Sequence, residues 1–236
     1  MALVLGIVPA RGGSKGVPGK NLRPLAGHSL VDYTARAARG SGVIDRLILS
    51  TDSKEIAEAG RRAGIEVPFL RPAILAADDS PMLPVVQHAL DALAACGWVA
   101  DIVVLLQPTS PLRQPGHVRD AVAMLRETEA DSVVTVVEVP RHLSPDYVMR
   151  IDQGRLAPFL PEGARVTRRQ DVRPAYAREG TVYACWSRTI ERFGNIYGED
   201  CRPLLIDPRE SLSIDSPEDW DTAERRLAEQ GSLGAS

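Results

Sequence analysis

The sequence has little of what most often announces a chemistry or a compartment. Three cysteines, Cys96, Cys185 and Cys201, stand among 236 residues. Their number is odd and no two are spaced as CxxC, so neither a disulfide framework nor a zinc site is suggested. The four histidines offer no Ser-His-Asp arrangement. His28, His88 and His117 fall in or beside helical segments and read as structural, while His142 lies in an irregular region. No apolar run approaches the ~20 residues of a membrane span. The N-terminal run is too short for a secretory signal and lacks its basic flank. Charge of one sign is missing too: 28 Lys and Arg against 31 Asp and Glu leave a net charge of −3, and nothing global favours nucleic acid. No repeat or low-complexity stretch is visible. What is present is 44% apolar and 25% charged, which is globular composition, in a chain long enough for one large core or two small ones. A reduced, cytoplasmic protein is the expectation.

The hydrophobic pattern alternates between strands and helices. Leu3–Val8, Arg46–Thr51, Asp101–Leu106 and Ser132–Val137 read as strands, and Val67–Leu70 as a short one. Leu30–Arg39, Asp52–Gly64, Met82–Ala95 and Gly116–Glu127 read as helices, with Asp52 and Glu55 at capping-box spacing. Strands alternating with helices imply βαβ units and a mostly parallel sheet flanked by helices, a Rossmann-like α/β fold. Such sheets bind ligands beyond the strand carboxyl ends, where the loops after Pro9, Thr51, Leu70 and Leu106 begin. From Pro140 to Arg178 the alternation fails in a Pro- and Arg-rich stretch. Long irregular segments are uncommon unless functional, so it reads as an excursion that returns at the strand Gly180–Trp186. Residues 1–228 are then one domain with the excursion 140–178 inside it, and 229–236 a frayed tail.

The loop after the first strand carries the strongest signal. Ala10-Arg11-Gly12-Gly13-Ser14-Lys15-Gly16-Val17-Pro18-Gly19-Lys20-Asn21 combines four glycines with three cations. Glycines let backbone N–H groups approach phosphate oxygens, and the cations supply the charge a triphosphate needs. It is not a P-loop, because no Gly-Lys is followed by Ser or Thr. It is not a dinucleotide fingerprint, because Pro18 and a delayed helix intervene. A flexible surface loop with solvated charges is the plain alternative. Three further groups stand at strand ends. Arg71, in Leu70-Arg71-Pro72-Ala73, can donate to a pyrimidine carbonyl, with Leu75, Ala76, Asp78 and Ser80 close behind. Gln107-Pro108-Thr109-Ser110-Pro111 presents donors and acceptors on a proline-stiffened loop suited to a hydroxyl-rich sugar. Arg168-Arg169-Gln170 can grip a carboxylate or form a solvated charge cluster. Near the C-terminus, Ser213-Ile214-Asp215-Ser216-Pro217 leads into a helix; Asp215 is either an oxygen ligand for a hard cation or the cap of that helix.

The glycine loop resembles the signature of the acylneuraminate cytidylyltransferases, enzymes that make CMP-activated sialic acids and related keto-sugar acids. The Leu105–Arg113 string is similar as well, and the resemblance runs from about Leu3 to about Leu227. It implies a reaction of CTP with a 3-deoxy-2-keto sugar acid. Arg11 and Lys20 would act on the triphosphate and Asp215 on Mg²⁺, with Mn²⁺ as a substitute. Ala10, Gly12, Gly13, Ser14, Lys15, Asn21, Arg71 and Ser80 would bind nucleotide. Gln107, Thr109, Ser110, Arg169, Gln170, Glu179 and Tyr183 would bind sugar, and Tyr176 is expected in the core. The resemblance further implies a homodimer formed through the excursion, whose tip reaches the partner's site. Two positions depart from the family pattern. Ser213 stands where an acid is usual, and Glu179-Gly180 where Asn-Gly is common; the latter points toward a legionaminic, pseudaminic or octulosonic type of acid, or a different sugar altogether. A nucleotidyltransferase using another NTP or a sugar phosphate, and a non-catalytic nucleotide-binding homologue, are the alternatives.

Overall fold

The computed structural model of the chain describes residues 2–161 and 168–233. It divides into two compact units, one of residues 1–135 with 179–236 and one of Val136–Arg178. In the first unit the strands β1 (Val4–Pro9), β2 (Arg46–Ser50), β3 (Ile102–Leu105), β4 (Ser132–Glu138), β7 (Tyr176–Trp186) and β8 (Cys201–Leu205) form a sheet in the order β2-β1-β3-β7-β4-β8. Strand β1 is parallel to both neighbours, β2 and β3, whereas β3 pairs with β7 antiparallel. Strands β4 and β7 run on past the unit boundary.

The central strands β1 and β3 are apolar throughout because both faces of the sheet are covered there. Val4, Val8, Leu47, Leu49, Ile102 and Val104 pack on one face with Val31, Ile56 and Val118, from helices α1 (Leu30–Gly40), α2 (Lys54–Arg62) and α4 (Pro115–Thr128). The alternate residues Leu5, Ile7, Ile48, Val103 and Leu105 pack on the other with Val86, Leu93 and Ile190, from α3 (Met82–Ala94) and α5 (Ser187–Phe193). A third cluster joins Val17, Leu25 and Leu30 to Ile214, Trp220 and Ala223, the last two from α6 (Pro217–Leu233). It anchors the return of the glycine loop against the segment that carries Asp215. Burying each such side chain contributes about 1.5–3 kcal/mol, so both pieces of backbone are held firmly.

Several sequence expectations change. Val67–Leu70 is not a strand: pairing with β2 stops at a single bridge from Glu66 to Ile48, since Pro68 has no N–H to continue the ladder. Ser53, not Asp52, caps α2, accepting a hydrogen bond from Ile56 N at 3.3 Å. Strand β8 had no clear signal, and β7 begins four residues before the expected Gly180. Helix α6 continues through Gly231 to Leu233, beyond the point where a frayed tail was expected; one glycine costs a helix only about 1 kcal/mol.

In the second unit β5 (Met149–Asp152) and β6 (Arg155–Pro158) form a hairpin. Its turn residues Gln153 and Gly154 both have positive φ, 48° and 77°, the twist-compatible two-residue turn. Buried Asp146 receives the Arg173 N–H at 3.0 Å and its guanidinium at 2.5 Å, which ties the two ends of this unit together. Tyr176, expected in the core, is exposed.

Candidate active site

Strand β1 ends where the ligand crevice of an open α/β sheet lies, between neighbours reached in opposite directions along the sheet. Beyond it opens a cleft of about 360 Å³. Ala10 closes the strand: its N–H donates to Ser50 O at 3.0 Å and its side chain is buried in the core. The chain then turns outward. The Gly12 N–H is taken by Asp52 Oδ1 at 2.9 Å, so the residue expected to cap α2 instead braces the loop. The amides of Gly13, Lys15 and Gly16 have no hydrogen-bond partner among the described residues. Asn21 closes the loop by donating from Nδ2 to Arg11 O at 3.0 Å. At Gly16 a Cβ would lie 2.0 Å from Asp215 O; only glycine lets these two stretches touch.

The loop's cations converge. Arg11 Nη1 lies 2.7 Å from Asp78 Oδ1, and Lys15 Nζ pairs with the other oxygen of the same carboxylate. Lys15, followed by Arg11, holds the Asp78 carboxyl below the usual carboxylate range. Asp78 thus marks a spot where two cations meet one anion. Lys20 is turned inward, its side chain only 14% exposed, and donates to Ile214 O at 2.6 Å with Asp215 Oδ1 3.4 Å away.

On the far wall, Arg71 is buried and its guanidinium stitches the end of β2 to the next turn. Nε donates to Ser50 Oγ at 3.0 Å, Nη2 to Ser50 O at 2.5 Å and Nη1 to Leu75 O at 3.4 Å. Burial pushes its pKa down to about 10, so it remains a cation at neutral pH. Ser80 Oγ donates to Ile74 O at 2.9 Å.

The loop after β3 brings Gln107 and Thr109 into the cleft. The hydroxyls of Thr109 and Ser110 are buried without a partner among the described residues. Unsatisfied buried hydroxyls cost stability and are commonly kept where a ligand or water completes them. Thr109 O accepts from Ile214 N at 2.9 Å, so this loop also fixes the Asp215 segment. There Ser213 Oγ donates to Asp215 Oδ2 at 2.9 Å. The helix cap is elsewhere: Asp219 Oδ2 accepts from Ser216 N at 2.8 Å while Ser216 Oγ accepts from Asp219 N at 3.2 Å. Asp215 is therefore not the cap, and its carboxylate is 72% exposed.

Sequence comparison bears on this arrangement along almost the entire chain. A family model described as cytidylyltransferase matches residues 5–224. A CMP-N,N′-diacetyllegionaminic acid synthase of Legionella pneumophila is 38% identical over 227 residues, covering 95% of this chain and 96% of that one. The chain belongs to the acylneuraminate cytidylyltransferase family. It is a nucleotidyltransferase. An N-acylneuraminate cytidylyltransferase of Oncorhynchus mykiss is 30% identical over 98% of this chain, which spans 52% of that longer protein. Among solved structures, a CMP:2-keto-3-deoxy-manno-octonic acid synthetase complexed with CTP superposes with a TM-score of 0.74 at 14% identity, covering 97% of this chain and all of that one. At that identity the likeness is one of fold.

Of the residues expected to act in this cytidylyltransferase, Arg11, Ser14, Lys15, Lys20, Asn21, Arg71, Ser80, Gln107, Thr109 and Asp215 line the cleft together. Others do not. Ala10 is core, and Gly12 has its N–H committed to Asp52. Tyr183 packs in the core layer with Leu105 and meets the Tyr197 ring edge-on. The Glu179 carboxylate accepts from Thr181 N at 3.0 Å, Thr181 Oγ1 at 2.7 Å and Ser211 Oγ at 3.2 Å; these protein donors occupy it. Arg169 and Gln170 belong to the second unit. The expected structural histidines are packed: His117 accepts from Gln114 N at 3.2 Å and lies 3.0 Å from Glu210, and His88 meets the Phe69 ring. Asp52 and Asp78 were not assigned from the sequence; a carboxylate near a cationic loop was the available signal.

Proposed function

We propose that the chain transfers CMP from CTP to a 3-deoxy-2-keto sugar acid of the sialic or legionaminic class, releasing pyrophosphate. The observation that carries this is the convergence of Arg11, Lys15 and Lys20 with unpaired loop amides on one cleft, in a chain that matches a CMP-N,N′-diacetyllegionaminic acid synthase over 95% of its length. The anomeric hydroxyl oxygen bonds to the α-phosphorus as its proton passes to solvent, and the bond from that phosphorus to the β-phosphate oxygen breaks, its electron pair leaving with pyrophosphate. Positioning and charge stabilisation drive such a transfer. Arg11, Lys20 and the amides of Gly13, Lys15 and Gly16 hold the triphosphate. Arg71 and Ser80 frame the base. Gln107, Thr109 and Ser110 meet the sugar hydroxyls, and the family resemblance alone assigns Arg169 and Gln170 to the acid's carboxylate.

Mg²⁺, or Mn²⁺, is the proposed cofactor. One exposed carboxylate, Asp215, and the adjacent Ser213 hydroxyl form an oxygen donor pair, which fits a hard cation held mostly by phosphates and water. Among the described residues no group of three or more His, Cys, Asp or Glu could hold a metal unaided. The ion would supply charge neutralisation on the phosphates.

A homodimer through the second unit is proposed as well. Its hairpin and flanks expose Met149, Ile151, Leu156 and Phe159, apolar surface that a second copy would cover. Among the described residues no helix is long and apolar enough to cross a membrane, and the three free cysteines fit a reducing cytoplasm. The test is pyrophosphate release with each NTP against a panel of N-acetylneuraminic, N,N′-diacetyllegionaminic, pseudaminic and 3-deoxy-octulosonic acids, with the CMP-sugar identified by mass. Release with CTP and one or more of these acids is expected; no release with any of them would remove the assignment.

A further inference from the structure

Arg113 is a charge in an unusual place. It follows the β3 loop and is only 4% exposed, and among the described residues no carboxylate pairs with it directly. Its guanidinium is spread over two carbonyls and a hydroxyl: Nε donates to Thr181 O at 2.6 Å, Nη2 to Gln107 O at 2.5 Å and Nη1 to Thr34 Oγ1 at 3.3 Å. A buried cation without a bonded anion is costly. Burial lowers its pKa to about 10, and the field of Glu179 opposes that. Glu179 itself is held in place by Thr181 and Ser211. Between them, Gly180 gives the Gln107 side chain room: a Cβ there would lie 3.0 Å from Gln107 Oε1 and 3.4 Å from Ser110 Oγ.

We propose that Arg113 is a positioning residue for the sugar-acid half of the cleft, and that Glu179 serves as its countercharge instead of touching substrate. One planar fork ties the backbone that carries Gln107, Thr109 and Ser110 to the start of the buried part of β7. Without it, Gln107 O keeps only the longer bond from Ser110 N at 3.3 Å, within the same loop, and a displacement of about 1 Å at a positioned group costs roughly 10²-fold in rate. The arrangement also explains how an acidic side chain is tolerated in an enzyme for anionic substrates: its negative charge is answered from inside by Arg113. The nucleotide half of the cleft hangs on the glycine loop and Asp52, which Arg113 does not touch, and on the Asp215 segment, which meets the Arg113-held loop at the Thr109 O–Ile214 N bond but is also fixed by Asp219 and by the buried Ile214. The inference therefore separates the two substrates. It rests on the cytidylyltransferase reading.

The test uses the full-length protein and whichever acid of the panel above the wild type turns over. Arg113→Lys keeps the charge but cannot span three acceptors from one ammonium. The expected result is a rise of roughly tenfold or more in KM for the acid, with CTP affinity by calorimetry changed less than about twofold. Glu179→Gln removes the charge while its amide oxygen can still accept from Thr181 N and its NH2 can donate to the Thr181 and Ser211 hydroxyls, which then act as acceptors; a smaller rise in the same KM is expected. Should Arg113→Lys not accumulate as folded protein, Thr34→Val removes one acceptor in α1 without changing shape, and a rise of about threefold in the acid's KM is expected. A KM for the acid unchanged in the folded variants, or acid and CTP constants moving together, overturns the inference. So does a Glu179→Gln effect larger than that of Arg113→Lys, because Glu179 would then act on substrate itself. A wild type that releases no pyrophosphate with any acid overturns the underlying reading instead.

Discussion

Replacing Gly16 by alanine is the sharpest perturbation the site offers. The added Cβ would stand 2.0 Å from Asp215 O, about 1 Å inside the closest approach real Cβ atoms make, and 3.1 Å from Asp215 C. Neither side can yield freely. Ile214 is fully buried, its N–H is bonded to Thr109 O at 2.9 Å, and Asp215 N is bonded to Asp219 Oδ2 at 3.0 Å. On the loop side, Val17 is buried against the same cluster. Overpacking of this kind costs about 1–3 kcal/mol, less about 0.4–1 kcal/mol gained because alanine stiffens the unfolded chain. The net is about 0–2.6 kcal/mol; in a chain of this size 1 kcal/mol moves Tm by about 2–4 °C, so a fall of up to about 10 °C is expected. The effect on turnover is larger. A shift of about 1 Å moves the Asp215 carboxylate and the Lys20 ammonium, which is bonded to Ile214 O, and misplacement on that scale costs roughly 10²-fold. Pyrophosphate release measures kcat, and differential scanning fluorimetry measures Tm. Gly13→Ala is the stability control, since its Cβ meets nothing within 4 Å. Turnover of Gly16→Ala within about threefold of wild type would show that the contact does not position the site, and the reasoning from glycine-loop packing to catalysis would fail.

Other expectations are simpler. Lys20→Ala should lower kcat/KM by roughly 10²-fold or more, whereas Lys15→Ala should cost far less, because Lys15 is 80% exposed and shares Asp78 with Arg11; equal losses in pyrophosphate-release assays would contradict this. Asp215→Asn should abolish most turnover yet leave much of the CTP affinity, and Ser213→Asp should tighten metal binding measured by calorimetry. Near-normal turnover of Asp215→Asn in limiting Mg²⁺ would move the metal elsewhere. The Asp219 carboxyl is held below the ordinary carboxylate value by the backbone N–H of Asp215 and then by Ser216. A depressed folded pKa contributes stability above the unfolded value of about 3.9 and loses it as pH falls through the folded pKa. Asp219→Asn should therefore lower Tm at neutral pH, with the gap to wild type closing in acid; a gap that stays constant down to about pH 2 would be inconsistent with this role.

Local chemistry was legible without coordinates. The βαβ alternation, the glycine loop and the polar strand-end loops follow from period and turn chemistry, because buried parallel strands must be apolar and crevice loops must not be. The sequence also left Ser216 available as a helix cap, which frees Asp215. What it did not hold was partnership at a distance. Asp52 had capping-box spacing, yet its carboxylate went to Gly12, forty residues away; the local bond lost to Ser53. Pro68 ended a strand that its apolar neighbours favoured, since a ladder needs N–H groups and not only hydrophobic side chains. Glu179 read as facing an anionic substrate, yet in the fold its carboxylate is taken up by Thr181 and Ser211. Gly16 was one glycine among four until its contact with Asp215 singled it out. Hydrogen bonds, buried charges and close packing depend on distances between atoms remote in the chain, and tertiary structure alone brings those distances down to a few ångströms.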